Sequence, residues 1–191
     1  MRSVLYLIAI GYLAVCGMVV VRSYQARSRS VAPPSQVLGP EDAWWLRMKA
    51  SCNPVEVEVA QRMRPAPAGL LGQSYGAACW ALAGKIDSAR AVIDRLPESD
   101  RHRAAGLVFD VAHPIADAGD DRSAGPIMEM VVHYWPNHYM ALYHAGMAEY
   151  GIGQHQLARK NLEAFLTYYH ENDGWTSNAR ATLARLGEAG R

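Results

Sequence analysis

The feature that most constrains this chain is an internal repeat. Gly84 with Ala89, Gly119 with Ala124 and Gly153 with Ala158 each set a glycine five residues before an alanine, and the glycines step by 35 and then 34 residues. Apolar positions continue at helical spacing after each alanine: Ile93 and Leu96, Met128 and Val131, Leu162 and Phe165. A glycine closing one helix and an alanine early in the next describe a unit of helix, tight turn and helix. Such a unit cannot bury its apolar face alone, so neighbouring units must stack. The expected fold class is therefore all-α, built of antiparallel helical hairpins in an α-solenoid.

The pattern resembles the tetratricopeptide repeat (TPR) over about residues 70–170. Pro136 and Asn137 stand where that family closes a unit, and Leu142, Ala145, Gly146, Tyr150, Gly153, Ala158 and Leu162 follow in register. Gly84, Ala89 and Leu96 carry the first unit, with Trp80 in its first helix. The departures are Arg101 in place of a closing proline, Pro97 in the preceding turn, Ala112 where the family prefers glycine, and Pro114 inside a first helix. The resemblance implies small residues where paired helices touch, because axes about 8–10 Å apart close further only over small side chains. It also implies that the first helix of each unit lines a concave binding face.

The flanks read as caps for such a stack. Residues 41–65 form a candidate capping hairpin, with helices over 41–52 and 54–64, Asn53 as N-cap and Pro54 at the first helical position. The alternation of residues 54–59 (PVEVEV) also suits a strand. A C-terminal capping helix is expected over 176–187, starting at Asp173 or Thr176, with Trp175 and Leu183 toward the stack and Arg180 and Arg185 toward water. The helical repeat domain then spans 41–191.

Residues 4–21 carry no charge, a run of about 27 Å as a helix, which is nearly a bilayer core. This reads as a transmembrane anchor over 1–21. A cleaved signal peptide would need a shorter apolar run and a small-residue cleavage site, and a lipoprotein box at residues 13–17 would need a small residue where Val15 stands. Residues 22–40, with their arginines, hydroxyls and Pro33-Pro34, read as a flexible linker. Arg2 and the amino terminus before the span, against Arg22, Arg27 and Arg29 after it, favour a cytoplasmic soluble domain. Cys52 and Cys79 are accordingly expected to be free, buried thiols.

Charge and motifs narrow the function classes. From residue 41 onward there are 15 basic and 18 acidic residues, so the soluble part offers no basic footprint for nucleic acid. Cys16, Cys52 and Cys79 show no CxxC spacing, and no GxGxxG, Walker A, HExxH, GxSxG or EF-hand series occurs. No cofactor and no metal are expected. His133, His138 and His144 straddle the turn at Pro136 without helical i, i+4 spacing, and Asp117, Asp120 and Asp121 read as helix-capping carboxylates. His113 and Asp117 do have that spacing, which brings an imidazole to a carboxylate, but no nucleophile accompanies them.

The TPR register places Ser74, Ala78 and Ala81, then Phe109, His113 and Asp117, then Tyr143, Met147 and Tyr150 on the concave face. Phe109, His113, Asp117, Tyr143, Met147 and Tyr150 are the candidate partner-binding residues. The expectation is a single-pass membrane protein, held by residues 4–21, whose repeat domain binds a protein partner as a scaffold or accessory subunit and is not an enzyme. The alternative is a hydrolytic or metal-dependent enzyme centred on His113 and Asp117.

Overall fold

The computed structural model describes residue 18 and residues 38–189. The anchor expected over 4–21 lies outside these apart from Met18, which is helical, and the linker lies outside them up to residue 37. Among the described residues no helix is long and apolar enough to cross a membrane. Residues Gly39–Arg191 make one compact unit. All its regular structure among the described residues is helical: α1 (Pro40–Met48), α2 (Val57–Met63), α3 (Leu70–Leu82), α4 (Ile86–Asp94), α5 (Glu98–Asp117), α6 (Asp121–Tyr134), α7 (Tyr139–Gly151), α8 (His155–Tyr168) and α9 (Gly174–Ala189). A 3-10 turn, Lys49–Ser51, extends α1.

The three repeated glycines end α3, α5 and α7 in the same way. Gly84, Gly119 and Gly153 have φ of 71°, 85° and 79°, a left-handed conformation that a Cβ disfavours. At each turn the glycine N–H donates three residues back, to Ala81, Ala116 or Tyr150. The following N–H donates five residues back, to Trp80, Ile115 or Glu149. This pair of bonds is the Schellman motif, and it turns the chain straight into the next helix. Five residues beyond each glycine, Ala89, Ala124 and Ala158 are fully buried. The sequence repeat is thus a repeat of one hairpin turn.

Each of these hairpins packs internally, α3 on α4, α5 on α6 and α7 on α8, and α6 also packs on α7. The first and second hairpins lie side by side, since α3 also meets α5 and α4 meets α6, while the second and third meet chiefly through α6 and α7. Close approach depends on missing side chains. A Cβ on Gly125 would stand 2.5 Å from Ala148 Cβ, and one on Gly146 would stand 2.8 Å from Leu162 Cγ. Ile93, Val108, Met128, Met130, Val131, Leu162 and Phe165 are fully or almost fully buried between the helices, and burial of such side chains supplies about 1.5–3 kcal/mol each before entropy is counted.

The departures from the family pattern have local explanations. Arg101, where a closing proline was missing, donates from Nε to Leu96 O (3.2 Å) and from Nη2 to Asp94 O (2.8 Å), satisfying carbonyls at the end of α4. Helix α5 runs unbroken through Pro114. At the N-terminal end Asn53 Oδ1 accepts from the N–H groups of Val55 and Glu56 at 3.1 and 3.0 Å, and regular helix begins only at Val57. Residues 55–59 are therefore turn and helix, not strand.

One expectation is overturned. Cys52 and Cys79 are joined by a disulfide, with Cα atoms 4.7 Å apart. The bridge links the turn after α1 to the buried side of α3, within a cluster of Trp44, Met48, Val57 and Ala83. Trp44 Nε1 donates to Arg64 O at 3.0 Å, and Trp45 stacks on Tyr75 at 5.2 Å, so the α1–α2 segment is tied to α3 at several points. At the other end Asp173 Oδ1 accepts from Trp175 and Thr176 N–H, while Asp173 N–H donates to Thr176 Oγ1, a reciprocal cap that starts α9.

Candidate functional site

The last two turns of α5 carry His113 and Asp117 on one face, as their spacing requires, with Nε2 of His113 3.3 Å from Asp117 Oδ1. The same carboxylate oxygen lies 3.5 Å from Nε2 of His144, which comes from α7 in the next hairpin. Asp121, the first residue of α6, sets its Oδ1 3.9 Å from the other nitrogen of His144. The two imidazoles meet edge to face, with ring centroids 5.1 Å apart. Four residues from three helices thus converge where adjacent hairpins touch.

The site has a dry wall and a wet one. His144 is 2% exposed and lies beside Tyr143 and Trp175, whereas the Asp117 side chain is 43% exposed. Burial, helped by the neighbouring His113, pushes the His144 pKa down to about 4 against the opposing pull of Asp117. His144 is therefore neutral near pH 7, with a lone pair on one nitrogen. Burial and then the charge of Asp120 raise the Asp121 carboxyl. Among the described residues, Nε2 of His113 and Nε2 of His144 are both buried without a hydrogen-bond partner. Their distances to Asp117 fall within ion-pair range, but the angles do not make hydrogen bonds. His113, Asp117 and His144 each offer a ligand atom, all within 4.8 Å of one another.

The six candidate partner-binding residues separate by burial. Phe109 and Tyr143 are 7% and 4% exposed, so they sit in the core and present little surface. Phe109 packs on His113 and His138, with centroids 4.5 and 4.1 Å away, and Tyr143 packs between Phe165 and Trp175 with its hydroxyl accepting from Asn178 Nδ2. Ser74, Ala78 and Ala81 are buried as well. His113, Met147 and Tyr150 are half-buried and Asp117 is exposed. His144 and Asp121 are not among those six, since spacing alone sets His144 aside as a ligand and reads Asp121 as a helix-capping carboxylate. The available signal was that His144 lies on the first helix of the unit after His113, three residues short of a full repeat. His133 and His138 do not join the cluster; His138 instead caps α7, its Nδ1 accepting from Ala141 N–H at 3.2 Å. Asp120 caps α6 through Ser123 N–H.

No family model matches the chain, and neither a curated protein nor a solved structure matches it.

Proposed function

We propose that this chain is a membrane-tethered scaffold whose helical hairpins stack as a TPR-like α-solenoid and bind a protein partner. The observation that carries the reading is the threefold recurrence of one hairpin turn, at Gly84, Gly119 and Gly153, with each hairpin packed on the next. Stacks of this kind present extended surfaces whose shape, more than any reactive group, selects a partner. With Phe109 and Tyr143 in the core, the surface left to a partner is the half-buried rim of α7, Met147 and Tyr150, together with Asp117 at the end of α5. The charge-free run at 4–21 supports the tether. The Cys52–Cys79 bridge favours an oxidising compartment for the domain, so the orientation proposed is the reverse of the one that arginine counting favours.

Site-specific photo-crosslinking in intact membranes tests this. A crosslinker in place of Tyr150 should give a discrete adduct that is missing when it replaces the exposed Glu163 on α8. Diffuse or identical products from both positions would remove the binding face. Deleting residues 1–29 should turn a carbonate-resistant protein into a soluble helical one, and a full-length chain extracted by carbonate would remove the tether.

A further inference from the structure

We infer that His113, Asp117 and His144 form a binding site for a divalent first-row transition ion of the zinc type, clamping α5 to α7. Two independent observations carry this. The first is geometric. Zinc holds imidazole nitrogen and carboxylate oxygen at about 2.0–2.2 Å, so donors at the corners of a tetrahedron sit roughly 3.3–3.5 Å apart. The two Nε2 to Oδ1 separations are 3.3 and 3.5 Å, matching two edges of such a tetrahedron, and the three donor atoms all lie within 4.8 Å of one another. The second is chemical. Both Nε2 atoms are buried and unpartnered, an arrangement with a desolvation penalty unless something accepts or shares their lone pairs. A cation between them and Asp117 satisfies all three groups at once.

The surroundings fit a metal better than a mere ion pair. His144 is 2% exposed, so its Nε2 is held in the dry wall of the cluster. Its second nitrogen lies 3.9 Å from Asp121 Oδ1, longer than a hydrogen bond but on the side where a carboxylate commonly supports a ligating imidazole. Asp117 adds a carboxylate beside the two imidazoles, and Asp121 sets a second one behind His144. The exposed flank of Asp117 leaves the fourth position to water or to a group from a bound partner. Two nitrogens and a carboxylate select zinc, cobalt or iron over calcium or magnesium, which prefer all-oxygen shells. The site joins two hairpins, so metal occupancy ties units that otherwise meet only by packing, and it does so whether or not a partner protein binds.

The test uses the full-length chain in mild detergent with Cys16 alkylated, titrated with zinc chloride by calorimetry and with cobalt(II) by visible absorption. The expected result is one zinc per chain, intense cobalt d–d bands of a four-coordinate site, and a melting temperature raised by several degrees with zinc. Asp117→Asn, an isosteric change at a surface position, should weaken binding by roughly 100-fold and abolish the thermal shift. His113→Gln should do the same, and His155→Gln on α8 should leave binding intact. Absence of saturable binding up to about 100 µM zinc would overturn the site, as would undiminished binding by Asp117→Asn folded by circular dichroism, or loss of binding in His155→Gln.

Discussion

Glu149 on α7 is the group through which solution pH should act most directly on stability. It is 2% exposed, and its two carboxylate oxygens accept from Asn161 Nδ2 at 2.8 and 2.9 Å. Burial raises its pKa from 4.5 to about 7; the Asn161 bond and Lys160 oppose the rise, and Glu129 adds to it. The folded chain therefore keeps a proton between about pH 4.5 and 7 that the unfolded chain has lost, so stability falls as pH rises through that window and levels off above it. A shift of this size, at about 1.4 kcal/mol per unit, corresponds to roughly 3 kcal/mol as an upper bound. For a domain of this length that is about 6–12 °C in melting temperature. Glu149→Gln keeps the shape and an acceptor for Asn161 but cannot ionise. The melting temperature of the variant minus that of the wild type should rise between pH 5 and pH 8. Histidine titrations cancel in that difference because both proteins share them, and any fixed penalty for the buried amide shifts the curve without tilting it. Parallel curves for the two proteins from pH 5 to 8 would refute the reasoning.

Three further outcomes are expected. Unreduced, denatured protein should show one reactive thiol, Cys16, and three after reduction; replacing Cys52 and Cys79 by alanine should cost about 3.5 kcal/mol by chain denaturation, the loop entropy of a separation of 27 residues. Gly125→Ala should destabilise by about 1–3 kcal/mol despite alanine's better helix propensity, because its Cβ would stand 2.5 Å from Ala148 Cβ, and Ala148→Gly should restore part of the loss in thermal melts. Tyr143→Ala should cost about 3–5 kcal/mol as a core truncation while the folded fraction crosslinks normally at position 150, and a variant of native stability with lost crosslinking would return Tyr143 to the binding face.

What could be read from sequence divides along physical lines. The hairpin turns were legible because a positive-φ glycine and the small residue that follows it are local requirements, met within six residues of chain. The burial of Phe109 and Tyr143 was not, because a helix face shows which side is apolar and not how deeply the next hairpin covers it. The Cys52–Cys79 bridge depends on how α1 docks on α3, a packing outcome invisible to spacing. The cluster of His113, Asp117 and His144 was half legible. His113 and Asp117 announce themselves at i, i+4, but strict repeat register sets His113 beside Met147. The observed neighbour, His144, lies three residues earlier, about one helical turn, so the offset between neighbouring first helices decides which imidazole arrives.

The covalent bridge also decides how a pull on the N-terminal end of the domain would travel. Tension entering along α1 reaches Cys52 and crosses to Cys79 through sulfur, bypassing residues 53–78. That stretch, about 90 Å of extended chain, is a sealed reserve of length. It stays out of the load path while the bridge is oxidised, and reduction releases it at the N-terminal end of the domain.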